Sequence, residues 1–194
     1  MKDKLLFATS NQNKLMEVQK KIGDQFIIKD LKSIGFNGEI PETQDTIEGN
    51  AVQKATFIYE KYQINCFAED TGLEIEALNG EPGVYSARYA GDQKSNEDNI
   101  ELVLHKLKDI KNRNARFKTV LAYIENGDIS TFEGIIYGTI TTGKSGDKGF
   151  GYDPIFLPDG YDQTFAELSI ETKNTISHRA LALQKFIQYL HKKS

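Results

Sequence analysis

Thr9-Ser10-Asn11-Gln12-Asn13-Lys14 crowds two hydroxyls, three amides and one ammonium into six consecutive positions. Such donors suit phosphate oxygens, above all where a buried strand hands over to a helix. Backbone N–H groups at a helix start point outward and favour an anion. An ordinary capped helix with a solvated first turn accounts for the same residues. Glu69-Asp70 follows the apolar run Cys66-Phe67-Ala68, at the strand end where open α/β sheets place their sites. Neighbouring side chains on a strand point to opposite faces, so both carboxylates meet one ion only if the chain turns there, which Thr71-Gly72 permits. Glu42, in the loop before the second long helix, is a third acid. Hard oxygen ligands of this kind suit Mg2+, which takes one or two carboxylates plus substrate phosphates and water. Simple solvation of acids at a strand end is the competing account.

Phe150-Gly151-Tyr152-Asp153-Pro154 closes a glycine-rich stretch. Glycine allows close backbone approach, an aromatic face can stack on a flat base, and Asp153 can accept from ring or exocyclic N–H groups. A turn whose aromatics fold back onto the core is the alternative. Ser177-His178-Arg179 opens the last helix just after Lys173, and cations at a positive helix end need an anion or a carbonyl to face. Gly138-Thr139-Ile140-Thr141-Thr142-Gly143-Lys144-Ser145 spells the phosphate-binding P-loop letter for letter. That mechanism needs a flexible loop leading into a helix. Here β-branched residues continue a strand, and Gly146, Gly149, Gly151 and Pro154 break any helix, so the match is a coincidence of letters. His105 and His191 lie in amphipathic helices, the three histidines lack ligand spacing, and Cys66 reads as a core residue. No Ser/His/Asp arrangement is defensible.

The elements that must position these groups alternate. Leu5 to Ala8 is a buried strand, and Asn11 caps a helix carrying Leu15, Val18 and Ile22. A short strand follows at Phe26-Ile27-Ile28, then a polar loop through Gly35, Gly38 and Pro41. A helix spans Ile47 to Tyr62 with Ala51, Ala55, Ile58 and Tyr62 on one face. Cys66 to Ala68 is a buried strand, and Leu73, Ile75 and Ala77 alternate with Glu74 and Glu76 as a half-buried one. Loop chemistry covers Asn79 to Gly91, and a helix covers Asn96 to Leu107. Strands Arg116 to Glu125 and Ser130 to Thr141 flank Asn126-Gly127-Asp128, a strong hairpin signal. After the loop Gly143 to Pro154, a last helix runs from Ser177 to His191. This is a mixed-sheet α/β protein.

With 194 residues, the chain is expected to be a single domain over 1–194, able to bury roughly 70% of its unfolded surface. One cysteine excludes an intramolecular disulfide and a multi-cysteine zinc site. A net charge of −4, with 24 basic and 28 acidic residues, argues against nucleic acid as a partner. No stretch has the apolar length to cross a bilayer. The apolar run after Met1-Lys2-Asp3-Lys4 is too short for a signal peptide, so a cytoplasmic protein with no membrane partner is expected.

In this order, Ala8-Thr9-Ser10-Asn11 through Lys14, Glu48-Gly49-Asn50-Ala51 with Lys54-Ala55, and Ala68-Glu69-Asp70-Thr71-Gly72-Leu73 resemble the inosine triphosphate pyrophosphatase family, also called dITP/XTP pyrophosphatases. Pro82-Gly83-Val84-Tyr85-Ser86-Ala87-Arg88-Tyr89, Gly149 to Pro154, and Ile176-Ser177-His178-Arg179 look like its remaining signatures. The resemblance spans essentially the whole chain. It implies an elongated, two-lobed mixed-sheet fold with a central cleft, usually a homodimer. The implied activity is Mg2+-dependent hydrolysis of purine nucleoside triphosphates with hypoxanthine or xanthine bases to the monophosphate and pyrophosphate.

By the same resemblance, Thr9, Ser10, Asn11, Gln12, Asn13 and Lys14 bind the triphosphate. Asp70 holds the metal and acts as acid/base residue, Glu42 stands on the metal side, and Thr71 lies beside the substrate. Phe150, Gly151, Tyr152, Asp153, Lys173, His178 and Arg179 surround base and sugar or help with phosphate. Ser10 stands where many members have glycine, Glu69 where aspartate is more usual, and Gly49 where others often carry a second glutamate. That leaves Glu42 as the partner of Asp70. Donors such as Arg179, facing the 6-oxygen of hypoxanthine or xanthine, would reject adenine's amino group. A pyrimidine triphosphate pyrophosphatase, or a nucleotide-binding regulator without catalysis, are the rival readings.

Overall fold

The structure is a computed structural model and describes residues 3–193. Met1 and Lys2, part of the amino-terminal segment read above, lie outside the described residues.

Strand β1 (Lys4–Phe7) buries Leu5, Leu6 and Phe7 and pairs in parallel with β2 (Ile27–Lys29) and with β3 (Cys66–Ile75). Between β1 and β2 runs α1 (Gln12–Ile22), which starts where the Asn11 side chain accepts from the Lys14 backbone N–H. Thr46 caps α2 (Ile47–Tyr62) in the same way, and the helix ends at Gln63 in the left-handed conformation, φ 54°. Ser95 caps α3 (Asn96–Lys106). Strands β4 (Asn114–Glu125) and β5 (Asp128–Ile140) form the hairpin, and β6 (Phe156–Pro158) pairs antiparallel with β5. The six strands lie in the order β2-β1-β3-β4-β5-β6.

The two helices α4 (Ile170–Ile176) and α5 (His178–Lys193) close the chain. The sequence reading missed α4, whose seven residues carry little periodicity; its one local signal is Ser169, which accepts from the Thr172 N–H. Among the described residues no helix is long and apolar enough to cross a membrane.

The described residues form two compact units, one of 3–70, 119–134 and 179–193, the other of 71–118 and 135–178. In the first, Phe7 stacks on Phe67 at 4.5 Å, and Phe186 packs against Phe67, Tyr123 and Phe132. In the second, Phe117, Phe156 and Phe165 form the centre with Leu73, Ile75, Val103 and Leu107. Each such buried side chain contributes roughly 1.5–3 kcal/mol. The divisions at 70–71, 118–119 and 134–135 fall inside strands β3, β4 and β5, so no linker composition marks them.

Gly138 to Ile140 belong to β5, paired with β6, and no helix follows; Lys144 is engaged by Glu97 and Glu101. The P-loop letters therefore form no P-loop. The hairpin turn has φ 53° at Asn126 and 94° at Gly127, and Asn65 accepts from the Asn126 N–H. Both positive angles mark the primed turn that matches strand twist. Gly127→Ala should lower stability by about 1 kcal/mol in a urea titration, because an L side chain resists that conformation. Unchanged stability would show that the turn relaxes freely.

Candidate active site

The sequence left open whether the chain turns after Asp70. It does not: β3 runs unbroken from Cys66 to Ile75. Glu69 and Asp70 consequently serve different clusters, as strand alternation demands. The turn that would have brought both acids to one ion is absent.

Asp70 faces α2. Its Oδ1 accepts from Lys54 Nζ at 2.9 Å and its Oδ2 from Asn50 Nδ2 at 3.4 Å. Lys54 Nζ also donates to Glu42 Oε1 at 2.5 Å. The loop carrying Glu42 is clipped to α2. Gln53 Oε1 accepts from the Thr43 N–H at 2.9 Å, Gln53 Nε2 donates to Thr43 Oγ1 at 2.8 Å, and Asn50 Oδ1 accepts from the Gln44 N–H at 2.9 Å. Asn50 thus spans from that loop to Asp70. Burial works against the charge on Lys54, but Asp70 and Glu42 outweigh it and raise the ammonium's pKa above its ordinary value.

Glu69 points to the other side of the strand and is 2% exposed. Both of its oxygens accept from Arg179 Nε at 2.9 Å, Arg179 Nη2 lies 2.8 Å from Oε1, and Lys14 Nζ lies 3.3 Å away. Arg179 Nη1 donates to Glu17. Burial would raise the Glu69 pKa, yet Arg179 and then Lys14 hold it down at about 2. Lys14 is lowered, first by burial, with Glu69 opposing and Lys54 and Arg179 adding like charge.

Lys14 is in the first turn of α1, where Thr9 Oγ1 accepts from the Asn11 N–H at 3.2 Å and Asn11 Oδ1 from the Lys14 N–H at 3.1 Å. No acidic residue sits in that turn. Ser10, Asn11, Gln12 and Asn13 are exposed there. The local sequence therefore builds a positive helix end bearing polar side chains, in the form an anion prefers.

In the second unit, Asp153 Oδ2 accepts from Lys173 Nζ at 2.6 Å and from the Phe150 N–H at 2.8 Å. Lys173 Nζ lies over the rings of Phe150 and Phe165, 5.3 and 5.7 Å from their centroids. Gly149 has φ 79°, and a Cβ there would meet Asp153 Oδ2 at 2.0 Å, so only glycine permits this carboxylate position. Tyr152 is 4% exposed, donates to the Ser86 carbonyl at 2.8 Å, and belongs to the core. It follows the folded-back account of this turn. Phe150 and Gly151 are half-buried. His178 is buried, stacked 4.7 Å from Phe117. Thr71 follows Asp70 on β3 and is half-buried.

The structure therefore brings Glu42 to Asp70, and Lys14 and Arg179 to Glu69. Sequence reasoning overlooked Lys54, Asn50 and Glu17 as members of these clusters. The signal was present for the first two: Asn50 and Lys54 stand four apart beside Ala51, Ala55 and Ile58 on the buried face of α2. A lysine and an amide on an apolar face need partners.

The family model of the Ham1 family matches residues 5–189. The chain belongs to the Ham1 family. It is 52% identical over 187 residues to a dITP/XTP pyrophosphatase of Flavobacterium johnsoniae, covering 96% of this chain and 97% of that protein. A dITP/XTP pyrophosphatase of Bacillus subtilis is 44% identical over 189 residues, covering 95% and 96%. The Ham1 protein of Staphylococcus aureus superposes with a TM-score of 0.90 at 37% identity, covering 99% of this chain and 100% of that one. The mixed-sheet α/β class and the family resemblance read from the motifs are both borne out.

Among the described residues no three acidic, histidine or cysteine side chains gather as a metal cage. In this Ham1 protein Glu42 and Asp70 instead converge on one ammonium. Two hard carboxylates on one cation position fit an ion completed by phosphates and water, the pattern of Mg2+.

Proposed function

We propose that this protein hydrolyses deaminated purine nucleoside triphosphates (dITP, ITP and XTP) to the monophosphate and pyrophosphate, removing them from the nucleotide pool. The observation that carries this reading is the convergence of Glu42 and Asp70 on one cation position, with Lys14 of the neighbouring Glu69 cluster at the start of α1. Thr9 to Lys14 receive the phosphate chain on the positive helix end. Glu42 and Asp70 would hold Mg2+, which would supply Lewis acidity toward phosphoryl oxygens.

Asp70 orients a water toward the α-phosphorus and takes its proton. The α–β phosphoanhydride bond breaks, and pyrophosphate leaves with its charge offset by Lys14. Thr71 lies beside the substrate. The half-buried Phe150 and Gly151 receive base and sugar, positioned by the Asp153–Lys173 pair, while Tyr152 and His178 support the turn from the core. Arg179 is buried and held by Glu69 and Glu17, and its place beside the base rests on the motif resemblance. The working form is a homodimer in the cytoplasm, an assignment supported by the motif resemblance.

Selectivity follows from hydrogen-bond polarity. Donors set for a 6-oxygen face adenine donor to donor and are left unpaired. ITP and XTP should release pyrophosphate roughly 10⁴-fold faster than ATP in kcat/KM. The check is a panel of purine and pyrimidine triphosphates with Mg2+ and pyrophosphate detection. Equal rates on ITP and ATP would end the donor argument, and faster turnover of pyrimidine triphosphates would replace the substrate class.

A further inference from the structure

Lys54 Nζ lies 2.5 Å from Glu42 Oε1 and 2.9 Å from Asp70 Oδ1. The side chain is 7% exposed, and it rises from the face of α2 that buries Ala51, Ala55 and Ile58. Its aliphatic stem is fixed by packing, while its head occupies the position between two acids. A carboxylate pair turned toward one point repels itself unless a cation lies between. Lys54 is that cation.

We propose that Lys54 is a built-in placeholder for the divalent ion, so that metal and nucleotide load together. The proposal rests on reading Glu42 and Asp70 as the metal-holding pair. A divalent ion entering alone meets the ammonium at both carboxylate oxygens and is opposed by like charge. A triphosphate brings a polyanion, and the ammonium then exchanges carboxylate oxygens for phosphate oxygens. Asp70 keeps its direction through that exchange because Asn50 Nδ2 donates to its other oxygen at 3.4 Å. Glu42 keeps its place because Gln53 and Asn50 hold the flanking loop residues Thr43 and Gln44. The acids are therefore preset, and only the lysine head has to move. Glu69, on the opposite face of β3, is engaged by Arg179 and Lys14.

The test is a Mn2+ titration of chelator-stripped protein without nucleotide, following free Mn2+ by electron paramagnetic resonance. Lys54→Met should bind Mn2+ at least about tenfold more tightly than wild type, the scale of coupling between close charges. Lys54→Arg, which keeps the cation, should resemble wild type. A non-hydrolysable inosine triphosphate analogue should tighten Mn2+ binding strongly in wild type and little in Lys54→Met. Mg2+ alone should raise the Tm of Lys54→Met more than that of wild type, whereas a lysine with a merely structural role would give a lower Tm without metal rescue. Should Lys54→Met not fold, Lys54→Gln carries the same comparison.

Equal or weaker Mn2+ affinity in the neutral variants, with wild-type hydrolysis intact, overturns the placeholder and leaves the proposed activity standing. Absence of hydrolysis of any triphosphate, with tighter Mn2+ in the neutral variants, overturns the activity and leaves the placeholder.

Discussion

Asp70→Asn should lower turnover at least about a hundredfold while nucleotide still binds, the usual loss when a general base is removed. Asp70 is 7% exposed, and each of its oxygens already accepts from a fixed donor, Lys54 or Asn50. An amide in its place keeps the shape but loses the charge and the capacity to take a proton. Its nitrogen must also face one of those two donors, leaving N–H groups unpaired. Single-turnover pyrophosphate release, measured beside equilibrium binding of an inosine nucleotide, separates the chemical loss from a binding loss. Near-normal turnover would remove Asp70 from the reaction.

Glu69→Gln is expected to cost about 3 kcal/mol of stability at neutral pH, read from urea unfolding. It takes one carboxylate from buried Arg179, which keeps Glu17, and from Lys14, and a buried charge that loses an ionic partner is costly. The pH dependence carries the same message with a definite sign. Glu69 is held at about 2, below its ordinary 4.5. A depressed carboxylate contributes stability that is fully present above pH 4.5 and is lost as pH falls through 2, because the unfolded chain takes up the proton first. Wild type should lose about 3 kcal/mol across that window, and Glu69→Gln should lack that loss. Parallel pH profiles for the two proteins would contradict the ion-pair account of Glu69.

Much of the fold was legible because its signals are local. Asn11 as N-cap, the apolar spacing of α2 and Asn126-Gly127 between alternating strands each act within a few residues. The candidate acids were legible too, since Glu42 and Asp70 are the residue types a hard cation prefers. The helix α4 escaped because one capping serine and seven residues give periodicity little room.

Residue types and short spacings determined the element order, the polar start of α1 and the acids available to a metal. Tertiary structure decided which partners each acid meets. A local pattern ends β3 at two adjacent charges, since buried carboxylates without partners are costly. The strand continues because Arg179, 110 residues away, neutralises Glu69 on one face while Lys54 and Asn50 satisfy Asp70 on the other. Partners brought by folding from distant positions change the cost of burying a charge, and no window of neighbouring residues contains them.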